Sequence, residues 1–330
     1  MNIRIQTAQG GEVRLSPILP PSLKEMQLPD SVCYGASVSF GHVLFQQLEG
    51  DHICALYHTL YFTRDEHVTY SSDKPAIRLQ IMLRNSYFYE SKPLGTGALH
   101  ERGISFNYVP SIHTVLRLRK QETYSHLSIY YQKEHLQRLA TSFPGLKDFL
   151  LKAEAGEPVL FNPYYSIADA TILGLIDNML DCTYKGHLRK VFLESLAMEI
   201  LLMSLLKITE TKSGENIPIG ESESVYIYQA KNFILQHMAK AFSMPALSKE
   251  TGLSPYKLNN GFKGIFGMGV TDFLLEARML KAHQVLMETD TPVTVIAENS
   301  GYSHHHAFEL AFKKYFGYTP AFVQRSAKRS

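Results

Sequence analysis

The sequence predicts an α+β chain: a β-barrel-like N-terminal domain, a helical subdomain, and an all-α C-terminal domain with two helix-turn-helix units. Hydrophobic alternation with period two continues to about residue 132, and helical spacing replaces it from Lys133 onward. After residue 240, a small residue, three further residues, a glycine and a newly capped helix occur twice in that order. The 330 residues suffice for about two domains of ~100–200 residues.

Residues 1–132 are interpreted as the β-rich domain. Over His126–Tyr131 apolar and more polar side chains alternate, which is typical of a half-buried strand. Further strands are expected within Val38–Phe45, Ile53–Phe62 and Ile77–Tyr89, which are rich in aromatic and β-branched residues. Many short strands separated by turn signals indicate a small antiparallel barrel or sandwich.

Residues 133–208 are interpreted as a helical subdomain, with helices over Ile167–Leu180 and Leu188–Leu206. The second helix has a broad apolar stripe. Two interpretations of this stripe stay open, packing on its own barrel or pairing with the same helix of a second copy. The candidate dimerisation residues are Leu188, Phe192, Leu196 and Ile200. The polar, glycine- and proline-containing segment 209–221 predicts a linker to the C-terminal domain at 222–330.

Two helix-turn-helix units are expected in the C-terminal domain. In the first, Ser243 caps a helix, Gly252 allows the left-handed turn that ends it, and Ser254 caps the next helix. The second unit repeats the spacing with Gly301 and with Ser303 as the cap.

A single helix over Thr271–Met287 is expected to connect the two units. At 1.5 Å per residue it is ~25 Å long. A rod of this length can hold two recognition helices roughly one DNA turn, ~34 Å, apart.

Charge is distributed unevenly along the chain. Residues 231–330 carry 12 Lys and Arg against 7 Asp and Glu, a net charge of +5, whereas the remaining residues have a net charge of −3. A basic C-terminal third points to a polyanionic partner, although lysines on solvated helices give similar counts.

The C-terminal residues match a known pattern. They are Leu253-Ser254, Leu258, Phe262-Lys263, Phe266-Gly267, Arg278, Ala282, Leu286, Ile296-Ala297, Gly301-Tyr302-Ser303, Phe308, Phe312-Lys313-Lys314, Phe316-Gly317 and Thr319-Pro320. With these residues, the segment of about 225–328 resembles the DNA-binding domain of the AraC/XylS family of bacterial transcription regulators. Three positions depart from the family pattern, namely Ser248, Val323-Gln324 and Leu310.

A second, looser resemblance points to the branch of siderophore-responsive regulators of pyochelin and yersiniabactin type. It rests on Lys257-Leu258, Gly261-Phe262 and Phe266-Gly267, with Cys182, Gly186, Arg189 and Leu193-Glu194 upstream. The family resemblance implies a cupin-like barrel at 1–132, a dimerisation role for 133–208, and a ligand-responsive homodimer. It also implies double-stranded promoter or operator DNA and RNA polymerase as partners.

Candidate DNA-contacting residues lie opposite the predicted buried faces of the two recognition helices. Asparagine can bond adenine, and lysine can bond phosphate or guanine. Three consecutive histidines do not suit one metal ion, because neighbouring helical residues point ~100° apart. The candidates are Tyr256, Asn259, Asn260 and Lys263 in the first unit, and His304, His305, His306, Glu309, Lys313 and Lys314 in the second.

Aromatic and charged residues on the predicted strands are candidates for an effector pocket, since barrels of this size can hold one small ligand. They are Tyr57, His58, Tyr61, Arg84, Tyr87 and Tyr89. The alternative interpretation is that these aromatic residues pack the barrel core. The looser resemblance suggests a ferric siderophore as effector, and a sugar or an aromatic metabolite is equally compatible with a tyrosine-rich pocket.

The alternative function is a metal-dependent cupin-type enzyme with an appended DNA-binding domain. Such an enzyme needs several histidines and a carboxylate around one metal, and the expected His-x-His with a following Glu is absent. We therefore expect no enzymatic activity, no metal and no cofactor. Three cysteines without a CxxC pair indicate a reducing compartment. With no apolar signal or membrane-spanning stretch, the sequence predicts a cytoplasmic protein. The family resemblance implies a transcription activator.

Overall fold

The computed structural model describes residues 4–7, 11–161, 166–210, 221–239, 243–266 and 268–327. The chain divides into two compact units, Met1–Gly214 and Glu215–Ser330. Most of the predicted linker, residues 211–220, lies outside the described residues. Among the helices in the described ranges, none combines the length and the apolar character needed to cross a membrane.

Two antiparallel sheets form most of the N-terminal unit. Five strands lie in the order β1-β5-β10-β7-β8, and the larger sheet has the order β12-β9-β6-β11-β4-β3-β2 with β13 beside β9. The strands are β1 (Arg4–Thr7), β2 (Val32–Val38), β3 (Gly41–Glu49), β4 (Ile53–Phe62), β5 (Glu66–Ser72), β6 (Ala76–Arg84), β7 (Tyr87–Ser91), β8 (Gly95–Leu99), β9 (Gly103–Val109), β10 (Ile112–Leu118), β11 (Thr123–Tyr131), β12 (Val159–Leu160) and β13 (Ser166–Ile167).

Two of the expected strands turn out to be hairpins. The segment Val38–Phe45 contains the end of β2 and the start of β3, and Ile77–Tyr89 contains β6, a turn and β7. Asn85, with a φ of 61°, makes the second turn. The aromatic and β-branched residues on both sides of each turn outweighed the turn signals within it, which are Gly41 in the first segment and Asn85-Ser86 in the second. The expected strand Ile53–Phe62 is confirmed as β4.

The alternating strand β11 is buried on both faces. Ile129 and its apolar neighbours pack in a core with the helices of this unit. On the opposite face His126 is buried and Ser128 is only 1% exposed. The expectation of a half-buried strand was therefore wrong, because the more polar face is covered by the second sheet instead of solvent.

Helices of the N-terminal unit share a core with the outer face of the larger sheet, in which Leu79, Phe106 and Ile129 pack with Ile172 and Leu193. They are α1 (Pro21–Lys24), α2 (Lys133–Leu139), α3 (Pro144–Glu154), α4 (Ala170–Leu180) and α5 (Gly186–Glu210), of which α1 packs elsewhere in the unit. Helix α4 begins later than predicted, because Ser166–Ile167 pairs with β9 and Asp169 caps the helix by accepting from two backbone N–H groups.

The C-terminal unit is helical, as the sequence predicts. Its helices are α6 (Glu221–His237), α7 (Met244–Thr251), α8 (Pro255–Phe266), α9 (Val270–Glu288), α10 (Val293–Asn299), α11 (His305–Phe316) and α12 (Pro320–Ala327). Two cores flank α9: Leu274 packs in the first with α6, α7 and α8, and Leu286 packs in the second with α10, α11 and α12. The connecting helix has 19 residues and is therefore ~28 Å long.

Helices α6 and α8 approach each other closely at Gly261. A Cβ built on this glycine would collide with Cδ1 and Cγ1 of Ile227, a fully buried residue of α6. The helix-breaking tendency of glycine is tolerated at this position because any side chain would separate the two helices.

Replacing Gly261 with alanine is therefore expected to destabilise the C-terminal unit by about 1–3 kcal/mol, because overpacking outweighs the better helix propensity of alanine. Denaturant unfolding followed by circular dichroism measures the effect. The matched control is Gly174→Ala in α4, where no atom lies within 4 Å of the added Cβ. We expect that change to stabilise its unit by roughly 0.5–1 kcal/mol. Equal stability of Gly261→Ala and the wild type would contradict the close packing.

Candidate nucleic-acid interface and candidate ligand cavity

The first helix-turn-helix unit, α7 and α8, is closed by local hydrogen bonds. Ser243 Oγ accepts from the N–H of Ala246 at 3.2 Å, and Gly252 ends α7 with a φ of 70°. Ser254 Oγ then accepts from the N–H of Lys257 at 3.3 Å. Both predicted caps and the left-handed glycine are confirmed.

The second unit, α10 and α11, has a left-handed glycine at the same place in its turn. Gly301 has a φ of 76°, and its N–H donates to the carbonyl of Glu298 at 2.9 Å. Helix α11 begins at His305 with His304 in the cap position, where its side chain makes no capping bond. The prediction that Ser303 caps this helix was wrong by one residue.

Arg278 of α9 contacts the turn of the second unit and the residues that follow α6. Its Nε donates to the carbonyl of Met238 at 2.8 Å, and its guanidinium lies 5.9 Å from the ring centroid of Tyr302. A Cβ at Gly301 would collide with this guanidinium. The side chain therefore connects the region after α6, the connecting helix and the second turn.

The exposed face of α8 carries three of its four candidate residues. Tyr256 is 76% exposed, Lys263 is exposed, and Asn260 is half-buried. Their spacing of four and three residues places them on one side of the helix.

Asn259 has a different role in the structure. Its Oδ1 accepts from the N–H of Val270 at 3.3 Å and so caps the start of α9. A bidentate contact with adenine requires both the oxygen and the nitrogen of the amide. Asn259 therefore cannot read adenine in this way while it holds α9.

The exposed face of α11 is mixed in character. His304, His305 and His306 are exposed at its start, and His306 Nδ1 lies 3.9 Å from Glu309 Oε2. Lys313 and Lys314 are exposed in its last turn. Leu310 is also exposed, between the histidines and the lysines.

Leu310 was not among the predicted contact residues. An exposed leucine on a recognition helix can contact the methyl group of thymine. The helical spacing of α11 places Leu310 on the outward face, and this is the sequence signal that could have made it a candidate.

A cavity lies between the two sheets of the N-terminal unit. The empty space between its walls, counted together with its open mouth, is about 690 Å³. Its walls combine tyrosines and apolar residues with a group of buried polar side chains. Most of the polar side chains come from β4, β6, β9 and β11, and two come from β7 and β10; they are His58, Arg78, Gln80, Ser91, Ser105, Asn107, Thr114, His126 and Ser128.

Two histidines stack against each other in the cavity wall. The rings of His58 and His126 lie 4.1 Å apart, centroid to centroid. Burial lowers the pKa of His126 to about 3 and the pKa of His58 well below its usual value, and the nearby Arg78 acts in the same direction. Both imidazoles are therefore neutral at neutral pH. Within the part of the chain that the structure describes, neither ring nitrogen of His58, nor Nδ1 of His126, nor the hydroxyl of Tyr70 has a hydrogen-bond partner.

A hydrogen-bonded chain forms another part of the wall. Arg78 Nε donates to Asn107 Oδ1 at 3.1 Å, and Asn107 Nδ2 donates to Ser105 Oγ at 3.0 Å and to Gln80 Oε1 at 3.3 Å. Arg78 also bonds to the hydroxyl of Tyr130. These four residues occupy alternate positions of β6 and β9. That alternation is the sequence signal that would have identified them as residues of one face.

The structure separates the six predicted effector-pocket residues into two groups. His58, Tyr87 and Tyr89 line the cavity. Tyr57 packs against the core on the opposite face of the larger sheet, since neighbouring residues of a strand point to opposite faces. Tyr61 and Arg84 do not line the cavity either, and Arg84 is exposed.

The four candidate dimerisation residues of α5 differ in burial. Leu196 is 6% exposed and Ile200 is fully buried, and both pack in the core of their own unit. Leu188 is exposed, and Phe192 is half-buried with its ring edge-to-face against Tyr184. A partner helix could therefore contact Leu188 but not Leu196 or Ile200. No three His, Cys, Asp or Glu residues in the described ranges are close enough to hold a metal ion.

Family models match both units of the chain. Residues 40–217 match the model described as the regulatory protein PchR N-terminal domain, and residues 247–326 match a helix-turn-helix domain. The regulatory protein PchR of Pseudomonas aeruginosa is 28% identical over 153 residues, which is 45% of this chain and 49% of that protein.

Other relatives match over shorter segments. The transcriptional activator RhaS of Escherichia fergusonii is 26% identical over 132 residues, which is 40% of this chain and 47% of that protein. The chain thus matches about half the length of these curated relatives. Among solved structures, the C-terminal domain of AraT from Geobacillus stearothermophilus is 29% identical, with 31% of this chain and 84% of that chain covered at a TM-score of 0.30.

Proposed function

Since this chain belongs to the AraC-type family of helix-turn-helix regulators, in the group with the PchR N-terminal domain, we propose that it is a transcription regulator that binds specific double-stranded DNA. The observation that carries the proposal is the pair of helix-turn-helix units on either side of α9, each with a left-handed glycine in its turn. Because the matched relatives are regulators, the metal-dependent enzyme is not favoured.

The proposed contacts follow from the exposed faces of α8 and α11. Tyr256 and Asn260 reach base edges from the first helix, and His305 and His306 do so from the second. The lysines of both helices bind phosphates; they are Lys263, Lys313 and Lys314. RNA polymerase as a partner, activation as the outcome and the cytoplasm as the location are part of the same proposal.

The DNA-binding proposal is tested by selecting a binding sequence from random duplexes and then measuring affinity over a range of salt concentrations. Replacing Lys313 with alanine is expected to reduce the slope of log affinity against log salt by roughly one unit, because one phosphate contact is lost. Lys147→Ala in the N-terminal unit is the control, since Lys147 is exposed on α3. If no sequence is enriched, or if both variants change the slope equally, the proposal fails.

We further propose that the N-terminal unit is a cupin-like barrel that senses a small molecule in the cavity between its sheets. The buried polar atoms without partners support this, because unsatisfied polar groups in a cavity are expected where a ligand or ordered water binds. Native mass spectrometry of gently purified protein tests it. A discrete added mass would support a bound effector, and an iron isotope pattern would favour a ferric siderophore over a sugar or an aromatic metabolite.

A homodimer formed through α5 completes the proposal. Beyond Leu188, the exposed side of this helix carries Val191, Leu202 and Leu206. With Leu188 they follow one another at spacings of three, eleven and four residues, which places all four on one face of the helix in two groups. These residues, which we call the outer stripe (Leu188, Val191, Leu202 and Leu206), replace Leu196 and Ile200 as the residues that a second copy would contact.

A further inference from the structure

Most of the interior between the two sheets is an ordinary apolar core that includes Phe45, Leu60 and Leu116, but the cavity within it is lined in part by polar side chains. On β6 the apolar residues Leu79 and Ile81 face the helices, whereas Arg78 and Gln80 face the cavity. The same inversion occurs on β9, where Asn107 is 1% exposed and faces the cavity. Burying polar side chains costs free energy unless they are bonded. A purely structural barrel has no need of such a lining.

Arg78 is the feature of this lining that specifies a ligand. It is 9% exposed, and its bonds to Asn107 and Tyr130 are to neutral groups. No Asp or Glu lines the cavity, and none in the described ranges forms an ion pair with Arg78. A buried guanidinium ordinarily has an anionic partner. A carboxylate matches its planar set of donors with two parallel hydrogen bonds.

The opposite part of the cavity offers neutral groups. Tyr130, which pairs with Arg78 across the sheet, is four residues from His126 on β11. At ~3.3 Å per residue these positions are ~13 Å apart. The atoms without partners on His58, His126 and Tyr70 lie toward the histidine end. Neutral imidazoles and a phenol can donate to or accept from hydroxyl or carbonyl groups of a ligand.

We propose, on the basis of the effector function proposed for this cavity, that the effector is an elongated organic carboxylate. Its carboxylate binds Arg78, and its distal hydroxyl or carbonyl group bonds to His58, His126 or Tyr70. A cationic ligand is repelled by Arg78. A neutral ligand, such as a simple sugar, leaves the guanidinium charge without a counter-ion.

The test uses the full-length protein and pairs of acids and their neutral amides. The probes are p-coumarate and p-coumaramide, with cinnamate, which lacks the distal hydroxyl, and acetate with acetamide as the smallest pair. Binding is measured by calorimetry and by tyrosine fluorescence, which is not masked because the chain has no tryptophan. We expect p-coumarate to bind about tenfold more tightly than its amide, because the charged hydrogen bonds are lost in the amide.

Variants of two arginines on β6 test whether Arg78 binds the carboxylate. Arg78→Met is expected to weaken p-coumarate binding about tenfold and to leave p-coumaramide within about threefold. Arg84→Met is the matched control, since Arg84 is exposed on the same strand. Arg78→Lys, which keeps the charge and the fold but loses the paired donors, is expected to give an intermediate value. Thermal melting confirms that each variant is folded.

The outcomes separate this inference from the effector function itself. Equal binding of acid and amide, or equal loss in Arg78→Met and Arg84→Met, overturns the carboxylate assignment. Absence of binding by every acid at millimolar concentration, with DNA binding intact, also overturns it. A Ser128→Phe variant fills the cavity. If that variant binds a proven effector as well as the wild type, the cavity is not the effector site and the proposed function of this unit fails.

Discussion

Acidification from about pH 7 to about pH 5 is expected to destabilise the ligand-free N-terminal unit by about 2 kcal/mol or more. Burial lowers the pKa of His126 to about 3, that of His100 to about 4 and that of His58 well below its usual value, whereas histidines titrate near ~6.5 in the unfolded chain. Below that pH the unfolded state binds more protons than the folded state, so the stability decreases as the pH decreases. His126 alone contributes roughly 2 kcal/mol over this range, and His58 and His100 act in the same direction. Urea unfolding at each pH measures the loss.

Single replacements identify the histidines responsible. His126→Gln is expected to remove roughly 2 kcal/mol of the destabilisation at pH 5, because one group that stays neutral in the fold no longer titrates on unfolding. His67→Gln is the control, since His67 is exposed on β5. Tyr70 and Tyr87 lie against the histidine pair, and the charge of Arg78 lowers both pKa values in the same direction as burial. An unchanged pH dependence in both His126→Gln and His58→Gln would show that these side chains are hydrated in the folded protein.

Leu196→Glu is expected to reduce the stability of the fold, whereas Leu202→Glu is expected to disrupt the dimer, although both residues lie on α5. Leu196 is 6% exposed and packs in the core of its own unit, so Leu196→Glu is expected to destabilise that unit by about 4 kcal/mol or more through burial of a charge. Leu202 is 36% exposed on the outer stripe. Leu202→Glu is expected to leave the thermal midpoint of the monomer unchanged and to give monomers in light scattering.

Light scattering and thermal melting of the same samples distinguish the possible results. Lys207→Glu provides a charge change on α5 away from the outer stripe, although it removes an ion pair with Asp169. Dimers of unchanged mass in Leu202→Glu would place the subunit interface elsewhere. A stable, folded Leu196→Glu protein would contradict the packing of α5 against its own sheet.

Local signals predicted the C-terminal unit well. Ser243, Gly252 and Ser254 act within three or four residues of their own positions, so the sequence around each residue contains the whole interaction. Asn259 could not be assigned in the same way. Its partner, Val270, is eleven residues further along the chain, on the other side of the turn between α8 and α9. An outward-facing helical position does not reveal such a bond.

The N-terminal unit was less predictable. Alternation along a strand shows that its two faces differ, but it does not show whether the polar face contacts solvent or a second sheet. The face of β11 with His126 and Ser128 has the composition of a solvated face, and only the second sheet makes it a cavity wall. For the same reason the sequence suggested both Tyr57 and His58 as pocket residues, although neighbours on a strand cannot share a face. Likewise, the broad stripe on α5 did not distinguish its buried residues from the outer stripe.

The connecting helix α9 packs in both helical cores of the C-terminal unit. This restricts the spacing of the DNA sites that the unit can bind. Because Leu274 and Leu286 are each packed into one of the cores, α8 and α11 cannot turn independently about a hinge. In the proposed complex with DNA, we therefore expect the two groups of contacted base pairs on the same side of the duplex, about one helical repeat of ~10.5 base pairs apart. A site with half a repeat inserted between them presents one group to the far side. In the proposed complex, α9 thereby determines the spacing of the operator, although the proposed base contacts lie on α8 and α11.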